Sequence, residues 1–270
     1  VKLRIEHRTR HWYGEPLRHA VQRLCLTPGS SAHQTVQRWT VHASGRLFAS
    51  VDGWGNLVHH CTLDAGRRTS DVHAVGEVHT HAAPWLQDDA GAPPAWVYLR
   101  DTGLSEAGAA LCEFARAVAG DAGRPAEARL LALCGAVADQ VQYESGSTHV
   151  HTTADEAFQA GRGVCQDQAH VFIAACRSLG WPARYVSGYF HAPGAEDLAS
   201  HAWADVCPEP QAGAAARWLG LDITHRCPVD ERHVRLAVGP DYAACAPVRG
   251  VREGGGEEQM AVVLRVSEVA

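Results

Sequence analysis

The sequence predicts an α+β protein: a β-sandwich-like N-terminal domain, residues 1–95, ahead of an α+β core, residues 96–270. Three observations predict it. Residues 1 to about 82 alternate polar and apolar side chains with the period of two that a half-buried strand requires. Residues 105–179 change to the 3.6-residue spacing of amphipathic helices. After Gly180 the strand character returns, and helices followed by strands indicate α+β rather than alternating parallel units.

The first strands are legible in "LRIEHRT" and "VQRLCLTP". The run "HQTVQRWTVHASGRLFASVDGWGNLVHHCTLD" adds more, punctuated at Ser44-Gly45 and at "DGWGN", and "VGEVHTHA" closes the set. A Pro-, Gly- and Asp-rich stretch, "APWLQDDAGAPPAWVYLRDTG", reads as the linker. Ser105 is the expected cap of a helix carrying Leu111, Phe114, Ala115 and Val118, and Pro125 the first turn of a second helix. A third runs from about Cys165 to Leu179 on the stripe Ala169, Phe172, Ile173, Cys176 and Leu179, ended by Gly180 and Pro182. Strands follow in "ARYVSGYF", "HAWADVC" and "RWLGLDI", then a mostly irregular stretch and a final strand near "MAVVLRV". "EGGGEEQ" reads as a solvated turn before it.

Composition narrows the function. With 46% hydrophobic and 20% charged residues the chain can bury a sizeable core. A net charge of -6 (24 basic against 30 acidic residues) lacks the basic stripe that nucleic acid requires, so no nucleic-acid partner is expected. No run approaches the ~20 apolar residues of a membrane span, and no membrane partner is expected. The opening "VKLRIEHRTRHWY" has no apolar block of a secretion signal. Nine dispersed cysteines without a C-x-x-C pair fit reduced thiols, and the expected compartment is the cytoplasm.

One cysteine stands apart. In "GRGVCQDQAH", Cys165 follows a flexible Gly-Arg-Gly turn and opens a helix, where the positive end of the dipole favours a thiolate. His201 opens the strand "HAWADV" and Asp222 ends "WLGLD". A thiol nucleophile needs a base within reach, and the base needs a third group to fix its tautomer. Many Cys/His/Asp triples can be drawn from this chain, however, and spacing alone does not choose among them.

A resemblance does choose. "GRGVCQDQAHVFIAACRSLGWPARYVSGY", "SHAWADV" and "WLGLDITHRCPVDERHVRLAVGPDYAACAPVRG" resemble the three signature blocks of the transglutaminase-like superfamily. The match is to its bacterial branch described as cysteine proteases, whose N-terminal region the β-rich opening also resembles. The resemblance implies a papain-like transglutaminase core with a Cys-His-Asp triad at Cys165, His201 and Asp222. It implies an enzyme acting on peptide or protein amides through an acyl-thioester, with no cofactor. Two positions depart from the family. Gln168 stands where relatives commonly have an aromatic, and Asp222-Ile223-Thr224-His225 replaces Asp-Pro-Thr-Asn.

The residue types then set the chemistry. His201 draws the proton from Cys165, the thiolate attacks an amide carbonyl, and the backbone N–H of Cys165 donates to the oxyanion. Gln140 and Tyr143 are candidates for a second oxyanion donor, and Trp203 and Gln168 for walls of the substrate pocket. Water resolving the thioester gives a protease or amidase, an amine a transglutaminase. Hydrolysis is favoured, because aminolysis needs a dry acceptor channel that no segment marks. A non-catalytic binding scaffold is the rival from another class. The oligomeric state stays open.

Other polar groups have plainer readings. Asp167 belongs to the first helical turn and His170 points away from Cys165. "HTH" at 79–81 and "HVH" at 149–151 supply two imidazoles each without a third ligand, so no metal site is expected. Asp88-Asp89 lacks calcium-loop spacing. Trp12, Trp39, Trp54 and Trp203 are expected to fill cores, Trp203 being also the pocket-wall candidate on the His201 strand face.

Overall fold

The computed structural model describes residues 1–88, 91–194, 200–210 and 214–269. The alternating region forms β1 (Lys2–Tyr13), β2 (Leu17–Leu24), β3 (Gln34–Ala43), β4 (Arg46–Val51), β5 (Leu57–Leu63) and β6 (Thr69–Thr80). In β1, Leu3, Ile5, His7, Thr9, His11 and Tyr13 all turn inward while their neighbours face out. The β3–β4 turn falls at Ser44-Gly45, where a Cβ on Gly45 would collide with the backbone of Thr62. The β4–β5 turn is built by Asp52, whose Oδ1 accepts the N–H groups of Trp54 and Asn56. Trp12, expected inside, is 40% exposed, because it occupies an outward position of β1.

The second half contributes β7 (Trp85–Gln87), a short 3-10 helix (Ala95–Leu99), α1 (Ala109–Ala119), α2 (Ala126–Gln140), β8 (Gln142–Tyr143), α3 (Ala154–Ala160), β9 (Arg162–Gly163) and α4 (Cys165–Ser178). Then come β10 (Ala183–Phe190), β11 (His201–Val206), β12 (Arg217–Asp222), β13 (Cys227–Pro228), β14 (His233–Gly239), α5 (Tyr242–Cys245), β15 (Val248–Gly254) and β16 (Glu258–Glu268). The C-terminal strand, placed by sequence with the core, instead pairs with β1 from Leu3–Glu268 to Tyr13–Glu258. The preceding strand β15 pairs with β2 in the other sheet. Two four-stranded sheets result, β16-β1-β6-β3 and β15-β2-β5-β4, which enclose one apolar core between them. Leu264 and Val266 of β16 join Leu3 and Ile5 in that core, which fixes the pairing. Gly254, Gly255 and Gly256 all take positive φ (79, 88 and 60°), so "EGGGEEQ" turns the chain from β15 in one sheet to β16 in the other.

The other sheet runs β13-β12-β11-β10-β14, with β7 beside β12. The "linker" therefore contributes a strand to this sheet. Residues 233–239, read as irregular, form its edge strand β14. Helix α4 packs across β10 and β11, while α1, α2 and α3 cover its other sides. That is why every residue from Asp167 to Arg177 is buried, a wider burial than a single apolar stripe implies. On the opposite face, Val186, Trp203, Val229 and Val238 form a second small core.

Ser105 does not cap α1, which starts four residues later behind Gly108. Its hydroxyl instead accepts from Arg177 at 2.6 Å, and the same guanidinium donates to the carbonyls of Tyr98, Ala183 and Pro240. These bonds lock the C-terminal turn of α4 to the linker and sheet. Among the described residues, no helix is long and apolar enough to cross a membrane.

Candidate active site

The Gly-Arg-Gly turn explains how Cys165 is presented. Gly161 ends α3 in the left-handed region (φ 68°), the αL cap that glycine takes without a Cβ clash. Gly163 has no Cβ, and one would come within 2.6 Å of the Asp167 side chain. That space lets Asp167 fold back, its Oδ2 accepting from the Val164 N–H (2.8 Å) and the Thr148 hydroxyl (2.6 Å). Asp167 is thus an anchor of the helix start. Cys165 is left as the first residue of α4, partly exposed, with no intrahelical partner for its own N–H.

Across from it, His201 opens β11 and is 9% exposed. Its Nε2 donates to Asp222 Oδ2 at 2.7 Å, leaving Nδ1 for the Cys165 side. Burial by itself would depress the pKa of this imidazole. Hydrogen bonds to Asp222 and Cys165, with the charges of both, outweigh burial and raise it to about 10. Asp222, the fully buried last residue of β12, would be pushed up by burial, but donors from His201, His225 and His233 hold it well below the usual carboxylate range.

Cys165 and His201 open onto one cleft of about 680 Å³. Its walls include Tyr143, Tyr185, Phe190, His225 and Tyr242. Tyr143 is 55% exposed, held there by the parallel pairing of β8 with β9, and burial together with the nearby Cys165 raises its pKa. The second sequence candidate for an oxyanion donor is misplaced. Gln140 is exposed at the end of α2 and donates to the Phe158 carbonyl. Neither pocket candidate lines the cleft. Trp203 shares the face of β11 with His201, their ring centroids 6.1 Å apart, but it is entirely buried there against Val186, Val229 and Val238, beneath the cleft and not in its wall. Gln168 is also buried, donating to Val141 O (2.8 Å) and accepting from Thr224 Oγ1 (2.7 Å), so it ties α4 to the turn after Asp222.

Two imidazoles beside Asp222 were missed by the sequence reading. His225 Nδ1 lies 2.7 Å and His233 Nε2 2.9 Å from the same Oδ2. His225 stacks on Phe190 at 4.0 Å between ring centroids and faces the cleft. The placement of His225 three residues past Asp222 was the available signal, since its N–H also donates to Asp222 Oδ1 as turns after a carboxylate commonly do. His201, Asp222 and His233 place one potential ligand atom each within 4.8 Å, a donor set a metal could use. Those three atoms are engaged with one another as donors and acceptor.

The remaining candidates are resolved by their contacts. His170 is buried and its Nε2 accepts from the Tyr242 N–H (3.1 Å). Asp88 accepts from Arg184 and Trp218 within a buried ion network, and Asp89 lies outside the described residues. His149 and His151 sit in a turn, not on a strand.

Comparison with known proteins fits this architecture. Residues 113–223 match the Transglutaminase-like superfamily, and residues 3–79 match the Bacterial transglutaminase-like N-terminal region. The chain belongs to the transglutaminase-like superfamily. Its place is in the bacterial group that carries this N-terminal region ahead of the core. It is similar to an uncharacterized protein of Mycobacterium tuberculosis, 32% identical over 93% of this chain and 87% of the relative. A second, from Mycobacterium leprae, is 27% identical over 100% and 99%. The fold matches the crystal structure of a "Putative Cysteine Protease" from Cytophaga hutchinsonii with a TM-score of 0.77 at 19% identity, covering 100% of this chain and 91% of that one.

Proposed function

We propose that this protein is a thiol-dependent amide hydrolase whose nucleophile is Cys165, with His201 as base and acid and Asp222 as the group that orients it. The observation that carries the reading is the layout of the cleft: Cys165 at a helix start and His201 line it together, and the buried Asp222 bonds His201 from behind. The family and the described fold neighbour support the same reaction class.

In the forward direction His201 takes the thiol proton, and the thiolate attacks the substrate carbonyl carbon. The oxyanion meets the Cys165 N–H at the tip of α4, and the Tyr143 hydroxyl, from a side chain that lines the same cleft, is the proposed second donor. His201 returns its proton to the leaving amine as the C–N bond breaks. Water then attacks the thioester, losing its proton to His201, and the carboxylic acid departs as the C–S bond breaks. Among the described residues the cleft opens to solvent, which supports water rather than an amine as the acceptor. The free state of all nine cysteines supports a reducing compartment such as the cytoplasm.

Iodoacetamide labelling followed by peptide mapping tests the nucleophile. Selective labelling of Cys165, lost in His201→Ala, is the expected result. Equal, slow labelling of all exposed thiols would refute it. Mass spectrometry of a peptide library with and without an added primary amine separates hydrolysis from aminolysis, and a chain that binds peptides without cleaving any would be a scaffold.

A further inference from the structure

His233 opens β14, is fully buried, and has both ring nitrogens engaged between two carboxylates. Nε2 meets Asp222 Oδ2 at 2.9 Å and Nδ1 meets Asp230 Oδ1 at 3.0 Å. Asp230 is itself gripped by Arg232, whose Nε lies 2.9 Å from Oδ2. The backbone carbonyl of His233 accepts from His33 Nε2, a residue of the sandwich, at 2.8 Å. Trp203 and Phe190 present their rings edge-on to the imidazole, with centroids 5.2 and 4.9 Å away. Every polar atom of this side chain and its carbonyl is therefore held by a group that is itself anchored.

Asp222 Oδ2 receives three imidazoles, and they differ in freedom. His225 has a side chain 35% exposed and opens to the cleft, and His201 is the group that has to be aimed. His233 alone is enclosed completely. We propose that His233 is a positioning residue: it pins Oδ2 of Asp222 toward His201, so that the remaining His201 nitrogen stays directed at Cys165. The chain Asp230–His233–Asp222–His201 then links the catalytic carboxylate to the sandwich through His33. This inference rests on the reading of Cys165 as the nucleophile only for its kinetic consequence; the alignment of His201 is measurable without turnover.

The test uses the full chain with His233→Ala and His233→Gln, the latter retaining an N–H donor. In histidine ¹⁵N-labelled protein, the His201 Nε2–H signal is expected to be sharp and slow to exchange in wild type. It should broaden or vanish in His233→Ala and return in part in His233→Gln. Turnover of a peptide amide should show kcat falling 10- to 100-fold in His233→Ala with KM within about twofold. A folded His233→Ala with an unaltered His201 signal and unaltered kcat overturns the role. If His233→Ala fails to fold, the Gln variant carries the comparison: a lost His201 signal with native melting behaviour supports positioning, and a wild-type signal with only a lowered Tm overturns it. Wild-type protein without amide turnover would refute the hydrolase while the His201 signal still decides for or against His233.

Discussion

Gln34 of the sandwich pairs with Arg235 of β14 as a strand would, its side-chain Oε1 accepting the Arg235 N–H (2.8 Å) and its Nε2 donating to the Arg235 carbonyl (2.9 Å). Asn56 repeats the arrangement at Val238, with bonds of 2.7 and 2.8 Å. Two amide side chains thus cap the open edge of the catalytic sheet. Gln34→Ala and Asn56→Ala each strand a buried backbone pair and are expected to cost about 1–3 kcal/mol of stability. Urea unfolding with unchanged slope would measure it, and a midpoint equal to wild type would show that water replaces the amide.

Removal of triad members has graded consequences. Cys165→Ala is expected to abolish turnover while leaving the fold intact, since the sulfur is partly exposed at the margin of the core and its loss opens little space. Asp222→Asn presents one oxygen where three imidazoles now donate, so it is expected to lower kcat about ten-thousandfold and also to lower Tm. Steady-state kinetics alongside calorimetry separates the two effects. A folded Asp222→Asn with wild-type kcat would remove the carboxylate from the mechanism.

The hydroxyl of Tyr143 is the testable oxyanion donor. Tyr143→Phe keeps the ring in the cleft wall and deletes only the O–H. If that group stabilises the developing charge, kcat drops about a hundredfold at nearly constant KM. An unaltered kcat assigns Tyr143 to the wall alone.

Stability should peak near pH 6.5. Burial lowers the imidazoles of His7, His33 and His170 to about 4, so each favours the folded state while neutral. Their contribution is complete above the unfolded value of about 6.5 and is lost as pH falls from there through 4, at most roughly 3 kcal/mol apiece. His201 works in the opposite sense. Its raised value of about 10 stabilises the fold fully below pH 6.5, and that contribution disappears as pH climbs through 10. Chemical denaturation across pH 4–10 should trace this dome, and a flat acid side would contradict neutral burial of the three.

The same imidazole sets the alkaline limb of catalysis. If His201 protonates the leaving amine as proposed, it must be an imidazolium to do so, and kcat/KM for a peptide amide is expected to fall as pH rises through about 10. A limb several units lower would mean that Asp222 does not hold the charged ring.

The nucleophile's helix and the three strands behind it were legible because their signals are local: glycines, a cap-like carboxylate and runs of alternating residues. Cys165–Ser178, Ala183–Phe190, His201–Val206 and Arg217–Asp222 fall where the sequence placed them. β14 was not legible, since "HVRLAVG" mixes Arg235 into a short run and its order comes from β10 and two amide side chains distant in sequence. Nor were the partners of Asp222 all visible. His225 lies close in the chain, but His233 reaches the carboxylate only once β13 and β14 have fixed the path between them. Trp203 and Gln168 misled for a related reason. Sharing a strand face or a helix with a catalytic candidate does not say whether a side chain reaches the cleft or is sealed beneath it: Trp203 lies on the His201 face of β11 yet is enclosed by Val186, Val229 and Val238.

The pairing of β16 with β1 has a consequence for biogenesis. β1 must wait, with one flank bare, until β16 has been translated, whereas the sheet that carries His201 and Asp222 can assemble from the stretches between them in the interim. A nascent polypeptide arrested before Val248 would therefore display two naked sheet borders, along β1 and β2, and would be a natural client for chaperones.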